Sequence, residues 1–153
     1  MARSLFGIIP LALLLLWGCN GKTESKAPAA AGAIPSIGTV AVEAQLDEIP
    51  APFPGNDLYN YVYVMRYHVR KVLRGTLADS VILVGHYNPR FARRDIKDGM
   101  DSLVDGDLGS FNPGDTHRLA LIDFDSLGLA PALEDNYREP GRRWFALWAS
   151  PSP

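Results

Sequence analysis

A long run of alternating residues constrains this chain more than any other feature. A period of two is that of a β-strand, whose successive side chains point to opposite faces of a sheet. From Tyr59 to Leu73, one face carries Tyr59, Tyr61, Tyr63, Met65, Tyr67 and Val69. The other face carries Val62, Val64, Arg66, His68 and Arg70. The run predicts a β-strand that is long enough to bend around a corner of a strongly curved sheet.

Four further segments have strand character. They are Thr39–Leu46, Val81–Tyr87, His117–Phe124 and Arg143–Ala149. Val81–Tyr87 is apolar on both faces, which predicts a central position in the sheet. The final segment places Trp144 and Trp148 on one face, and we expect it to be an integral strand with at least one tryptophan in the core. Proline and glycine mark the loops between strands, with three prolines in residues 49–57.

Helical signals are sparse. Phe91, Ile96, Met100 and Leu103 form a partial helical stripe that Gly99 weakens, and residues 131–136 suggest a helical turn. The order is therefore three strands, a short helix, and two strands. This order predicts a mainly β fold, a five-stranded Greek-key barrel of the OB type with at most one or two short helices. A small β-sandwich is the alternative.

The N-terminus has the order of an export signal. One basic residue, Arg3, precedes an apolar run that is too short to span a bilayer comfortably. The run ends at Leu16-Trp17-Gly18-Cys19, which resembles the lipobox of bacterial lipoproteins, although Trp17 stands where a small residue is usual. The resemblance implies cleavage after residue 18 and lipidation of Cys19. The alternative is a stray thiol after an ordinary signal peptide.

The rest of the chain divides into a tether and one domain. Residues 19–37 lack apolar periodicity and predict a flexible, lipid-anchored tether, followed by a single β-barrel domain over residues 38–153. Cys19 is the only cysteine, so no intrachain disulfide is available. Removal of residues 1–18 removes Arg3 and no acidic residue, so the net charge changes from −2 to −3. This weakly acidic balance argues against nucleic acid as the partner.

Several segments of the domain resemble netrin-like barrels. They are a strand that ends in Val72-Leu73-Arg74-Gly75, the strand Val81-Ile82-Leu83-Val84, and the turn Asn112-Pro113-Gly114-Asp115 before Leu119-Ala120-Leu121. The disulfides of secreted members are absent. With Gly85-His86-Tyr87 and Pro131-Ala132-Leu133-Glu134, the same stretch is similar to domains that accompany envelope polysaccharide O-acetylation proteins.

Two groups on the long strand are candidate ligand-binding residues. Tyr61 and Tyr63 belong to a tyrosine row that would suit the stacking of sugar rings on a barrel surface, or would line the core if the hydroxyls find partners. Arg66, His68 and Arg70 share the opposite face and could hold a carboxylate or sulfate. A solvated face with acidic partners on a neighbouring strand explains the second group equally well.

Metal chemistry has two weaker candidates. His68, His86 and His117 lie in or beside predicted strands, and three imidazoles could build a zinc site, but no pair has a short ligand spacing. Buried or exposed histidines without metal are the simpler interpretation. Carboxylate oxygens that could bind calcium are concentrated in one turn-rich segment, but their spacing is not that of an EF-hand. The residues are Asp98, Asp101, Asp105, Asp107 and Asp115. Turn formation explains them more simply.

The sequence therefore favours a binding protein over an enzyme. It contains neither a G-x-S-x-G motif nor a phosphate-binding glycine loop, and we expect no cofactor. We predict a non-catalytic lipoprotein of the bacterial cell envelope that binds or assembles with a protein or a glycan. Asn20 rather than aspartate follows the lipidated cysteine, which in enterobacteria favours the outer membrane. The alternative is a metal-binding protein or enzyme of the envelope that uses the three histidines.

Overall fold

The computed structural model describes residues 33–100, 102–128 and 131–153. The described strands are β1 (Val40–Glu48), β2 (Tyr61–Arg74), β3 (Val81–Tyr87), β4 (Thr116–Asp123), β5 (Ala132–Glu134) and β6 (Arg143–Pro151). Two short 3₁₀ helices, η1 (Arg93–Asp95) and η2 (Phe124–Leu127), lie in the connections. The protein is mainly β, as the alternation of its side chains predicts.

Five of these strands close into a barrel. Around the ring, β1 pairs with β4, β4 with β6, β6 with β3, β3 with β2, and β2 again with β1. Each pair is antiparallel except β3 with β6. The predicted five-stranded Greek-key barrel of the OB type is therefore confirmed, and β3 is central, between β2 and β6. The 14-residue β2 makes closure possible because its first half pairs with β3 and its second half with β1.

The inner faces of the five strands form the main core. Its fully buried members include Val42, Leu46, Tyr63, Met65, Leu119 and Leu121. Trp144 is 3% exposed and packs in this core, which confirms the prediction that β6 is integral and carries a core tryptophan. With no disulfide, this apolar burial is the main source of stability for the described domain.

A second, smaller core lies on the outside of the barrel. The long connection from β3 to β4 lays Ile96 and Val104 against Val62 on β2 and Phe145 on β6. Both faces of β2 are consequently buried near its start. The covering connection buries the face that carries Val62, and the alternation of β2 does not by itself indicate this cover.

The prediction of at most one or two short helices is confirmed among the described residues, which contain η1 and η2, although one helical turn was expected elsewhere. Within the partial stripe from Phe91 to Leu103, the structure has one helical turn, η1. Residues 132–134 form the short strand β5, parallel to the start of β2, rather than a helical turn. Such a short segment has little intrinsic preference, and pairing with β2 decides its conformation.

The barrel also holds the end of the predicted tether. Arg74 donates hydrogen bonds to the carbonyl oxygens of Pro35, at 2.8 Å, and of Ile37. Gly38 follows with φ of 71°, and a Cβ there would lie 2.4 Å from the Leu121 carbonyl oxygen, so only glycine allows this approach. Contact with the barrel thus begins slightly before the predicted boundary at residue 38.

Candidate functional site

The tyrosine rings of β2 line the inside of the barrel. Tyr61 and Tyr63 are fully buried, and each hydroxyl donates a 2.7 Å hydrogen bond to a carbonyl oxygen of the proline-rich β1–β2 loop, that of Pro54 and that of Ala51 respectively. The amide of Ala51 donates back to the Tyr63 hydroxyl at 3.0 Å. These hydroxyls have the buried partners that core lining requires. Burial therefore favours core lining over a sugar-stacking surface for Tyr61 and Tyr63.

The polar row of β2, which is Arg66, His68 and Arg70, lies on the outside of the barrel, opposite the inward tyrosines. Arg66 donates to Glu48 on the neighbouring strand β1 at 2.7 Å and to Glu139 at 2.6 Å. Arg70 donates to the side-chain oxygen of Gln45, and His68 is half-buried. Because two carboxylates already neutralise Arg66, this arrangement favours cross-strand polar pairing over an anion site.

The three histidines do not come together. His68 lies on the outer face of β2, whereas His86 and His117 are 0% and 1% exposed inside the barrel. Among the described residues, no group of three or more His, Cys, Asp or Glu side chains could hold a metal ion. The three-histidine zinc site expected as an alternative is not formed here.

His86 and His117 instead belong to a buried aromatic cluster. The Tyr67 ring packs against both imidazoles, with centroid distances of 5.6 Å to His86 and 5.8 Å to His117. Phe111, from the β3–β4 connection, lies 4.6 Å from the His86 ring and 5.9 Å from the His117 ring. The Tyr67 hydroxyl and Nδ1 of His117 are 3.1 Å apart and share a hydrogen bond.

Burial keeps both imidazoles neutral. It lowers the pKa of His117 to about 4, and the carboxylate of Asp115 partly opposes this shift. Burial, together with the nearby Arg93 guanidinium and His117, holds the pKa of His86 well below its ordinary value. Neither ring nitrogen of His86 has a hydrogen-bond partner among the described residues, and neither does Nε2 of His117. Buried polar atoms without partners are uncommon and call for an explanation.

A buried arginine completes the cluster. Arg93 is 2% exposed, and its guanidinium donates to three carbonyl oxygens, those of Tyr87, Asn88 and Phe91, at 2.6–3.0 Å. It also lies 5.3 Å above the centre of the Phe111 ring. Burial lowers its pKa to about 10, so it stays charged near neutrality. The sequence contains no signal that separates Arg93 from its exposed neighbours Arg90 and Arg94.

A cleft of about 600 Å³ opens beside this cluster. His117 lines it from the start of β4, and the β3–β4 connection and the end of β6 form its walls. Its polar lining residues are Glu43, Ser110, Asp115, Thr116, His117 and Ser152. The Ser152 hydroxyl donates to the Glu43 carboxylate at 2.7 Å, and its amide donates to the Thr116 carbonyl at 2.9 Å. The cleft walls are thus tied together by hydrogen bonds. No sequence motif marks this site, because its residues come from four separated segments.

A second surface lies where the β1–β2 and β4–β6 connections meet. Leu58, Tyr59 and Leu133, here called the loop patch, are 90%, 46% and 41% exposed. The Tyr59 hydroxyl donates to Glu134 at 2.7 Å, and β5 pairs with the start of β2, so the two connections are held side by side. The patch therefore presents apolar side chains beside the pairing of β5 with the start of β2, and only Leu133 lies in a paired strand.

The aspartates of the β3–β4 connection have structural roles where they are described. Asp98 accepts hydrogen bonds from Tyr87 at 2.8 Å and from Asn60 at 3.0 Å. Asp115 accepts one from Asn112 at 3.0 Å, within the turn before β4. Asp101 lies outside the described residues. These contacts fit turn and loop formation, the simpler of the two interpretations.

Comparisons with known protein families, with curated proteins and with solved structures find no match to this chain. In the described ranges, no helix is long and apolar enough to cross a membrane. The predicted signal peptide, Cys19 and the tether as far as residue 32 lie outside the described residues.

Proposed function

We propose that this protein is a lipid-anchored lipoprotein of the bacterial cell envelope whose barrel is a non-catalytic binding or assembly module for a protein or glycan partner. The lipobox-like Leu16-Trp17-Gly18-Cys19 and the tether after it support the anchoring. A tether lets the barrel reach a partner away from the membrane while the lipid keeps it local, which raises the effective concentration.

The position of the loop patch is the observation that supports a binding role. OB-type barrels bind oligosaccharides and oligonucleotides on the face of their second and third strands, between the loop joining the first two strands and the loop joining the last two. In this chain those loops are the β1–β2 and β4–β6 connections, which meet at Leu58, Tyr59 and Leu133. Exposed apolar groups close together suit docking because their burial against a partner is favourable. The weakly acidic net charge disfavours the nucleic-acid version of this use.

Site-specific photocrosslinking in cells tests the proposal. A photoreactive amino acid replaces Leu58 in the full chain, and the matched control replaces Val81, another exposed apolar residue, at the start of β3. We expect a discrete adduct from position 58 and little from position 81. Digestion of the adduct with protease or with glycosidase separates a protein partner from a glycan. Absence of an adduct at position 58, or equal labelling at both positions, would contradict the proposal.

A further inference from the structure

Basic side chains cluster on the outside of the barrel, where three neighbouring strands pair. β2 contributes Arg70, Lys71 and Arg74, and β4 contributes Arg118, on either side of β1. These four residues are here called the basic face. Arg74 and Arg118 also line a cleft of about 360 Å³, whose remaining walls are apolar. Those walls are Ile34, Ala41 and Leu73. The surface therefore presents cationic and apolar groups side by side.

Two guanidiniums of the basic face have neutral hydrogen-bond partners. Arg70 donates to the side-chain oxygen of Gln45 on β1. Arg74 donates to the backbone carbonyl oxygens of Pro35 and Ile37. These hydrogen bonds hold the two side chains in place, but they leave the positive charges without a counter-charge.

Acidic residues are scarce around the basic face. In the paired stretches of the three strands, the only acidic residue is Glu43, which lies in register with Lys71 and with Arg118. The stretches are residues 40–46 of β1, 67–74 of β2 and 116–121 of β4. Asp79, in the β2–β3 turn, lines a separate cleft together with Arg66. Four cations thus share one carboxylate, although the net charge of the whole chain is −2.

The tether joins the barrel at this face, through the contact of Ile37 with Arg74. Because an extended residue spans at most about 3.6 Å, the chain between Cys19 and Ile37 can span at most about 65 Å. A lipid on Cys19 would therefore keep the basic face near the bilayer. Ile37 and Val72, two apolar residues at this end of the barrel, are 40% and 38% exposed. The loop patch lies at the other end of β1, because β1 begins after the tether and ends before the β1–β2 connection.

We propose that the basic face docks on the anionic phospholipid surface of the membrane that holds the lipid anchor, with its cations beside the phosphate groups and Val72 in the headgroup region. A basic residue close to an anionic bilayer strengthens the attraction about fivefold. Docking in this orientation turns the loop patch away from the membrane, where a partner can reach it. The inference rests on the proposed function in taking the chain to be lipid-anchored.

Photocrosslinking to radiolabelled phospholipid tests the inference. The full chain, with a photoreactive amino acid at position 72, is purified in detergent and reconstituted into vesicles. The vesicles contain phosphatidylcholine alone or phosphatidylcholine mixed with phosphatidylglycerol. We expect a phospholipid adduct in the mixed vesicles, and a severalfold lower yield in phosphatidylcholine alone. Salt at about 1 M should also lower the yield, because it screens charges beyond about 3 Å. The same amino acid at position 58, in the loop patch, should give little adduct.

Two charge-reversal variants locate the contact. Arg70→Glu combined with Lys71→Glu should lower the adduct yield from position 72 at least tenfold in the mixed vesicles. Arg94→Glu combined with Lys97→Glu, in the β3–β4 connection, is the matched control and should leave the yield unchanged. All four residues are exposed, and both variants change the net charge equally. Thermal melting checks that each variant is folded.

Three results would overturn the inference. They are equal yields with and without phosphatidylglycerol, equal yields from positions 72 and 58, and equal losses in the two charge-reversal variants. None of them touches the proposed function, which fails instead if the unaltered chain takes up no palmitate. Should the Arg70 and Lys71 variant fail to fold, the dependence of the unreversed chain on phosphatidylglycerol and on salt still decides the matter.

Discussion

At the scale of single residues, the inward histidines place titratable groups where charge is costly. The imidazole of His117 has one hydrogen bond, to the Tyr67 hydroxyl. The imidazole of His86 has none among the described residues. Protonation would put a cation inside the barrel, close to the charged Arg93. Stability should therefore depend on the protonation of these histidines and hence on pH.

The sign of that dependence follows from the lowered pKa of His117. The folded state has a pKa of about 4, against 6.5 for an ordinary histidine, so between these values the unfolded chain binds more protons. The contribution of neutral His117 to the free energy of unfolding is complete above about pH 6.5, falls as the pH falls, and is lost near pH 4. The difference amounts to about 3 kcal/mol, at about 1.4 kcal/mol per pKa unit. Burial also lowers the pKa of His86, so its protonation destabilises the fold in the same direction as the pH falls.

Thermal melting of His117→Phe and of the unaltered protein at pH 7 and at pH 5 measures this effect. The variant should lose less stability between the two pH values. His68→Gln is the matched control, because His68 is half-buried on the outer face of β2. If the His117 variant and the unaltered protein lose the same stability on acidification, the protonation argument is wrong.

The same scale shows the limits of prediction from sequence. The alternation of β2 places Tyr61 and Tyr63 on one face. It does not show whether that face lies inside or outside the barrel. The inward position is possible because the carbonyl oxygens of Ala51 and Pro54, in an irregular loop, accept hydrogen bonds from the two hydroxyls. For Arg93 the missing information is the fold of the whole β3–β4 connection, which brings three carbonyl oxygens to one guanidinium.

At the scale of elements, β6 is the strand on which the barrel most visibly depends. It pairs with β3 on one side and with β4 on the other, and it buries Trp144, Phe145 and Trp148. Loss of one large aromatic side chain from a core costs about 3–5 kcal/mol. A domain of this size has about 5–15 kcal/mol in total. Deletion of residues 142–153 should consequently unfold the protein.

Deletion of residues 151–153 is the matched control. It removes the last pair of the β4–β6 ladder and the two hydrogen bonds of Ser152, so we expect a loss of about 1–3 kcal/mol with the fold retained. Circular dichroism during thermal melting compares the two proteins. A stable β-type spectrum and an unchanged midpoint for the longer deletion would mean that the tryptophans form a docking patch rather than part of the barrel.

At the scale of the whole molecule, the anchoring prediction is independent of the barrel. Cys19→Ser should abolish labelling by radioactive palmitate and release the protein from membranes, because the thiol is the acceptor of the lipid. Ser25→Ala, in the predicted tether, is the control and should leave labelling intact. Continued fatty-acid labelling of the Cys19 variant would exclude the lipoprotein assignment.

What the sequence determined by itself is the set of long strands and the mainly β class, whereas it predicted closure of the barrel with a β-sandwich as the alternative. Period-two alternation is local, and five apolar strands without disulfides are stable only when their faces are buried and their edges paired. It also determined that β6 is a core strand, because both of its faces are largely apolar. What only the tertiary structure decided depends on contacts between distant segments. Examples are the parallel pairing of β5 with β2, the outer core over Val62 and the cleft beside His117. Each of these is made by loops whose own residues have weak preferences, so their conformation follows from the partners that the barrel brings to them.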